Sequence, residues 1–194
     1  MSSRTNSNID ICARSLVLIG AEPITSFSDG NTESLVASNL YEDIAQTSLT
    51  NTRWRFATNQ AVLNRETEEP TGRWDASYEM PSDLIMLHAV TVNDYPINYD
   101  TYGSKVFCDA ASADSVVADY TFRADEVNWP PYFVVAVEFT MASVFAAAIA
   151  RDASMSNMYE QKALLAMAKA RGLDSQQQTS RRLPTSRFIT NRRS

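Results

Sequence analysis

The side chains best suited to proton transfer, nucleophilic attack or metal binding are few: one histidine, two cysteines and scattered carboxylate pairs. His88 sits inside Leu84–Val92, a run that is apolar on both faces. An imidazole there is expected to be a hydrogen-bonded structural group rather than a general base. Cys12 and Cys108 fall in a predicted helix and a predicted strand, with no second Cys or His at ligand spacing, so buried free thiols in a reducing compartment are expected. Glu42–Asp43 and Glu68–Glu69 are placed on a solvated helix face and in a loop. There is no glycine-rich phosphate loop, no His-Glu-x-x-His and no Gly-x-Ser-x-Gly, and the chain holds only five glycines with which to build such turns. The expectation is a non-enzymatic protein with no catalytic, cofactor-binding or metal-ligating residues.

Chemistry of another kind is concentrated at the end of the chain. Arg181, Arg182, Arg187, Arg192 and Arg193 are interleaved with Leu183, Phe188 and Ile189, and no acid occurs among them. Guanidinium groups mixed with bulky apolar side chains suit phosphate contact and base stacking. They suit equally an acidic protein surface, with carboxylates taken by the arginine forks and the apolar groups as anchors. A solvated tail is the plain alternative, but three large apolar side chains in a segment unable to form its own core favour a covering partner.

The remainder of the chain has the opposite charge. The sequence of 194 residues has 17 Lys+Arg and 23 Asp+Glu, for a formal −6. With five of the basic groups in the tail, residues 1–180 hold 12 basic and 23 acidic groups, or −11. An acidic body does not suit a general nucleic-acid binder. At 44% hydrophobic and 21% charged, the composition is that of a folded globular chain large enough to bury a core. The polar opening predicts no secretory signal. Tyr132–Ala150 is long enough to cross a bilayer, but Glu138 near its middle and its six alanines argue for a core helix and against a membrane partner.

The elements that must position these groups follow from periodicity. Ser7 with Asp10 forms a capping-box pattern before Ile9, Cys12, Ala13, Leu16 and Ile19, and Gly20 and Pro23 close that helix. A second helix is predicted from a cap at Asn31 or Thr32 to about Leu49. The period then changes to two, with strands expected at Trp54–Phe56, Leu84–Val92, Tyr95–Tyr99, Lys105–Cys108 and Val116–Arg123, and turns at Asn93–Asp94 and Tyr102–Gly103. Trp129-Pro130-Pro131 opens a third helix reaching about Asp152, apolar nearly all round, with Ala142, Ala146 and Ala150 as a small-residue stripe. A fourth helix is predicted over Met155–Arg171, with Tyr159, Ala163, Leu164, Met167 and Ala168 on one face and Gly172 as its stop. The reading is an α+β protein: a four-helix bundle-like domain (1–52 and 130–174), an antiparallel β-sheet or sandwich insert (53–129) and an extended basic tail (175–194).

Three stretches together resemble the head-to-tail adaptor, or tail tubular protein A, family of short-tailed bacteriophages. They are Ala13-Arg-Ser-Leu-Val-Leu-Ile-Gly-Ala-Glu-Pro-Ile24 with the acidic Ser28-Asp-Gly-Asn-Thr-Glu33 segment after it; Trp54-Arg-Phe-Ala57 leading into a β region with Tyr78-Glu-Met-Pro-Ser-Asp-Leu84; and a final helix pair closed by an arginine-bearing tail. The resemblance implies a virion structural protein, assembled in the bacterial host cytoplasm, that forms a dodecameric ring in the neck between portal and tail nozzle. It implies that Arg181, Arg182, Leu183, Arg187, Phe188, Ile189, Arg192 and Arg193 dock on the portal. The stripe Ala142, Ala146 and Ala150 would then let helices of adjacent subunits approach closely. Twelve copies at −6 sum to about −72, suited to a channel through which DNA slides without specific binding. The alternative is a nucleic-acid-binding module acting through the tail.

Overall fold

Helix α1 (Asn8–Leu18) starts where the sequence places its cap: Ser7 accepts from the Asp10 N–H, and the Asp10 carboxylate reaches back to the Ser7 N–H at 3.0 Å. The computed structural model describes residues 6–177 and shows a mixed α+β protein with four α-helices and two antiparallel sheets. Helix α2 (Thr32–Thr50) is capped by Asn31, which accepts from the Ser34 N–H at 2.8 Å. Helix α3 (Pro131–Phe145) begins on a proline, tolerated because a first-turn N–H has no helical partner. It continues as a π-helical turn, Ala146–Ala150, and ends at Arg151 in the left-handed region at φ 52°. Asp152 then caps α4 (Ala153–Gln176), accepting from the Ser154 and Met155 N–H groups at 2.9 and 3.0 Å.

The four helices share one apolar cluster centred on α3, whose Phe133, Ala136, Val137, Met141, Ala142, Phe145 and Ala146 have no exposed surface. Two tryptophans mark where the chain leaves and re-enters this cluster. Trp54 and Trp129 lie with ring centroids 5.0 and 4.9 Å from Phe133, and their indole N–H groups donate to the carbonyls of Ser48 and Ala124.

Between the tryptophans lie β1 (Thr58–Val62), β2 (Ala76–Glu79), β3 (Leu84–Val92), β4 (Tyr95–Pro96), β5 (Tyr99–Tyr102), β6 (Lys105–Cys108) and β7 (Val116–Phe122). One sheet has the order β1-β7-β3-β4 and the other β2-β6-β5. A second apolar cluster, including Tyr78, Val90, Val106, Cys108, Val116 and Tyr120, is built from both sheets. Asn93 and Asp94, both at positive φ, make the two-residue turn between β3 and β4, the geometry that matches the twist of paired strands.

Several expectations are corrected. Trp54–Phe56 is not a strand. Both rings turn onto Phe133, Phe56 at 4.9 Å, and the backbone coils into a 3-10 turn (Arg55–Ala57) to let them. The Tyr95–Tyr99 run is divided between the two sheets: Tyr95–Pro96 pairs with β3, the Ile97 N–H still donates to the Val90 carbonyl at 3.0 Å, and from Tyr99 the chain pairs with β6, with Pro96 at an outward position where no ladder N–H is needed. Gly172 does not stop α4, which runs on to Gln176. A tertiary contact outweighs the glycine there: buried Asp174 accepts from the Arg55 N–H at 3.1 Å and from the Tyr132 hydroxyl at 3.0 Å. On α4 the buried residues are Tyr159, Ala163, Met167, Ala170 and Asp174. Ala168 is exposed and Leu164 is 65% exposed, each a single 100° step off that stripe.

Candidate functional site

The junction of helices and sheets holds the densest polar network among the described residues. Arg123, just past β7, clasps both oxygens of Glu42 on α2 at 2.7 and 3.0 Å and donates to Glu126 at 2.6 Å. Its guanidinium also lies over the Trp129 ring, and Tyr41 donates to the same Glu126 oxygen at 2.9 Å. Burial pulls the Arg123 pKa down, but the hydrogen bonds to Glu42 and Glu126 outweigh it and hold it above the ordinary value. The Arg123 contact draws the Glu42 carboxyl below its ordinary range. Burial, with Glu126 beside it, pushes the Tyr41 hydroxyl up. Every charge here has a partner, so the network fastens β7 to α2 and offers no idle acid or base.

The lone histidine is likewise engaged. His88 Nε2 lies 2.7 Å from the Thr121 Oγ1 across the β3–β7 ladder. Burial, then nearby Arg53, hold its pKa below the ordinary histidine value, which favours a neutral ring at neutral pH. Cys12 and Cys108 are buried free thiols; burial, reinforced by Glu126, pushes Cys12 up to about 12. Among the described residues no group of three His, Cys, Asp or Glu side chains is arranged to hold a metal ion.

Unpartnered apolar surface is where the molecule is unusual. Between α1 and α3 runs a groove of about 520 Å³ lined by Ala13, Val17, Leu18, Pro23, Val135 and Phe139, with the Arg14–Glu138 ion pair (2.5 Å) at its border. Val17 is 59% exposed there. On α4, Leu164 and Leu165 are each 65% exposed and Met158 and Leu173 are also exposed, with Lys162 and Lys169 exposed between them. An apolar lining such as that of the α1–α3 groove marks an interaction site. Leu164 and Leu165 are the functional candidates the periodicity missed; the signal available was two adjacent leucines, which cannot both face one core.

The alanine stripe divides. Ala142 and Ala146 are fully buried in the protein's own core, so the close approach they permit is spent within the chain, and the expectation that they pack against a neighbouring subunit is corrected. Ala150 is exposed. Arg181, Arg182, Leu183, Arg187, Phe188, Ile189, Arg192 and Arg193 lie outside the described residues. No protein-family model matches the chain, and no curated protein matches it.

Proposed function

We propose that this chain is a virion structural protein, the subunit of a dodecameric head-to-tail adaptor ring that joins a portal protein to a tail nozzle and forms part of the DNA ejection channel in the neck of a short-tailed phage. The observation that carries the reading is the apolar α1–α3 groove, with the exposed Leu164 and Leu165 of α4 as a second place for a neighbouring copy to cover. Two different faces on one chain fit head-to-tail contacts, the kind that closes rings.

In this reading the helices act as a bundle-like ring wall, with α3 at the centre of each protomer. The tail, expected from residue 175, starts only after α4 ends at Gln176, and acts as an extended arm: its arginines engage portal carboxylates while Leu183, Phe188 and Ile189 anchor in apolar pockets. The acidic body, −11 without the arm, keeps sliding DNA from adhering to the channel. The protein would be assembled in the host cytoplasm, without cofactor or membrane.

The test is portal docking by a chain lacking residues 181–194. The truncated protein should melt as the full chain does but fail to form a portal complex visible by electron microscopy. Normal docking would remove the arm's role. A salt-sensitive gel shift of DNA by the full chain, lost on truncation, would instead favour a nucleic-acid-binding module.

A further inference from the structure

We propose that the open edge of β1, together with Arg53 and Arg55, is a docking site for an extended acidic segment of a partner protein. This goes beyond the adaptor reading and stands on different residues. Strand β1 is the outermost of the order β1-β7-β3-β4, and no described strand lies on its far side. The Leu63 N–H donates to the Val116 carbonyl at 2.8 Å, and the register pairs Ala61 with Ala118 and Asn59 with Tyr120. By the alternation of an antiparallel ladder, these residues bond inward to β7, while the backbone groups of Thr58, Gln60 and Val62 face outward. The Gln60 N–H is held by the Oδ1 of its own neighbour Asn59 at 2.9 Å, a local contact that an incoming carbonyl can replace.

The other sheet edges are less inviting. The edge of β2 is closed by the preceding segment, through Arg65 opposite Tyr78 and the Glu66 N–H on the Ser77 carbonyl at 2.9 Å. Strand β4 is two residues long and contains a proline. Beside β5, the Asp100 carboxylate already receives Arg73, Trp74 and Tyr102.

Charge selects the occupant. Where β1 meets the helices, a cleft of about 730 Å³ is lined by Arg53, Arg55, Thr58, Gln60, Ser175 and two carboxylates already engaged within the chain, Asp119 and Asp174. The Arg55 guanidinium has no ion pair or hydrogen bond among the described residues, and its backbone is fixed by buried Asp174. Arg53 reaches Asp119 only at 3.4 Å, while Gln60 donates to the other Asp119 oxygen at 2.5 Å. Two guanidinium forks thus stand at the start of an open strand, suited to carboxylates. The strand edge calls for a backbone that can pair with it, which a peptide has and a nucleic acid lacks. The −11 body also repels a long polyanion more than a short acidic stretch. Val62, 65% exposed at the other end of β1, adds an apolar contact.

The test is a titration of the full chain with a blocked synthetic peptide, Val-Thr-Val-Glu-Thr-Glu, followed by backbone amide NMR. Shifts confined to Thr58–Val62 and the Arg53–Arg55 turn are expected, with affinity about tenfold weaker for Arg53→Gln/Arg55→Gln. Gln60→Pro, which removes an outward N–H and no ladder bond, should also abolish binding. Equal binding of a peptide with Lys in place of Glu overturns the proposal, as does full affinity in the double-Gln variant. Arg-dependent displacement of the peptide by duplex DNA assigns the cleft to phosphates and overturns it. So do concentration-dependent shifts of Thr58–Val62 without peptide, which would mean pairing of β1 with a second copy.

Discussion

Arg123 shows how one side chain can decide whether two parts of a chain hold together. It is 21% exposed, Glu126 is 16% exposed, and Glu42 is half in solvent at 51%. Arg123→Ala strands the Glu126 charge, and should cost about 2–3 kcal/mol, less than a fully buried pair because water screens Glu42. Chemical denaturation measures it. The pH dependence has a definite sign. The Glu42 pKa is depressed in the folded state, so its contribution is complete above the unfolded value of about 4.3 and is lost as pH falls below it through the folded pKa. The Arg123→Ala variant should lose less stability over that window than the native chain. The thiols give a simpler check. With Cys12 pushed up to about 12 and both cysteines buried, a thiol reagent at pH 8 should titrate neither until the protein is denatured.

At the scale of elements, the two faces of the helices make opposite predictions. Ala142 is fully buried in the α3 core, so Ala142→Leu should lower stability by about 1–3 kcal/mol through overpacking, read as a fall in Tm. Leu165→Ser changes an exposed position and should leave stability within about 0.5 kcal/mol. It should nonetheless weaken self-association measured by sedimentation, because the adaptor reading puts α4 at an assembly face. Caps and turns were the most legible features in the sequence, because their chemistry is local: Ser7 with Asp10, Asn31 and Asn93–Asp94 act as their types require. What was not legible depended on distant partners. Gly172 reads as a stop until Asp174 is seen bound to Arg55 and Tyr132. Trp54 and Phe56 read as a strand until Phe133 is present to receive them. Similarly, nothing in the stripe Ala142, Ala146 and Ala150 tells whether its close neighbour is in the same chain. For the candidate surfaces, the adjacent Leu164 and Leu165 signal only that one of them must leave the core, and the open side of β1 is a tertiary fact with no sequence signature of its own.

At the scale of the whole molecule, the helical cluster and the two-sheet cluster are joined at Trp54 and Trp129, which meet the same phenylalanine. Seen from the helices, everything between those tryptophans is one long loop with its ends already pinned side by side. Closing a loop costs only about 0.6 kcal/mol more for each doubling of its length, so the helices are nearly indifferent to how many residues the excursion contains. The sheet region can therefore lengthen, shorten or change its surface over evolutionary time while the helical scaffold stays as it is, which makes it the natural place for the molecule to be refitted to a new neighbour.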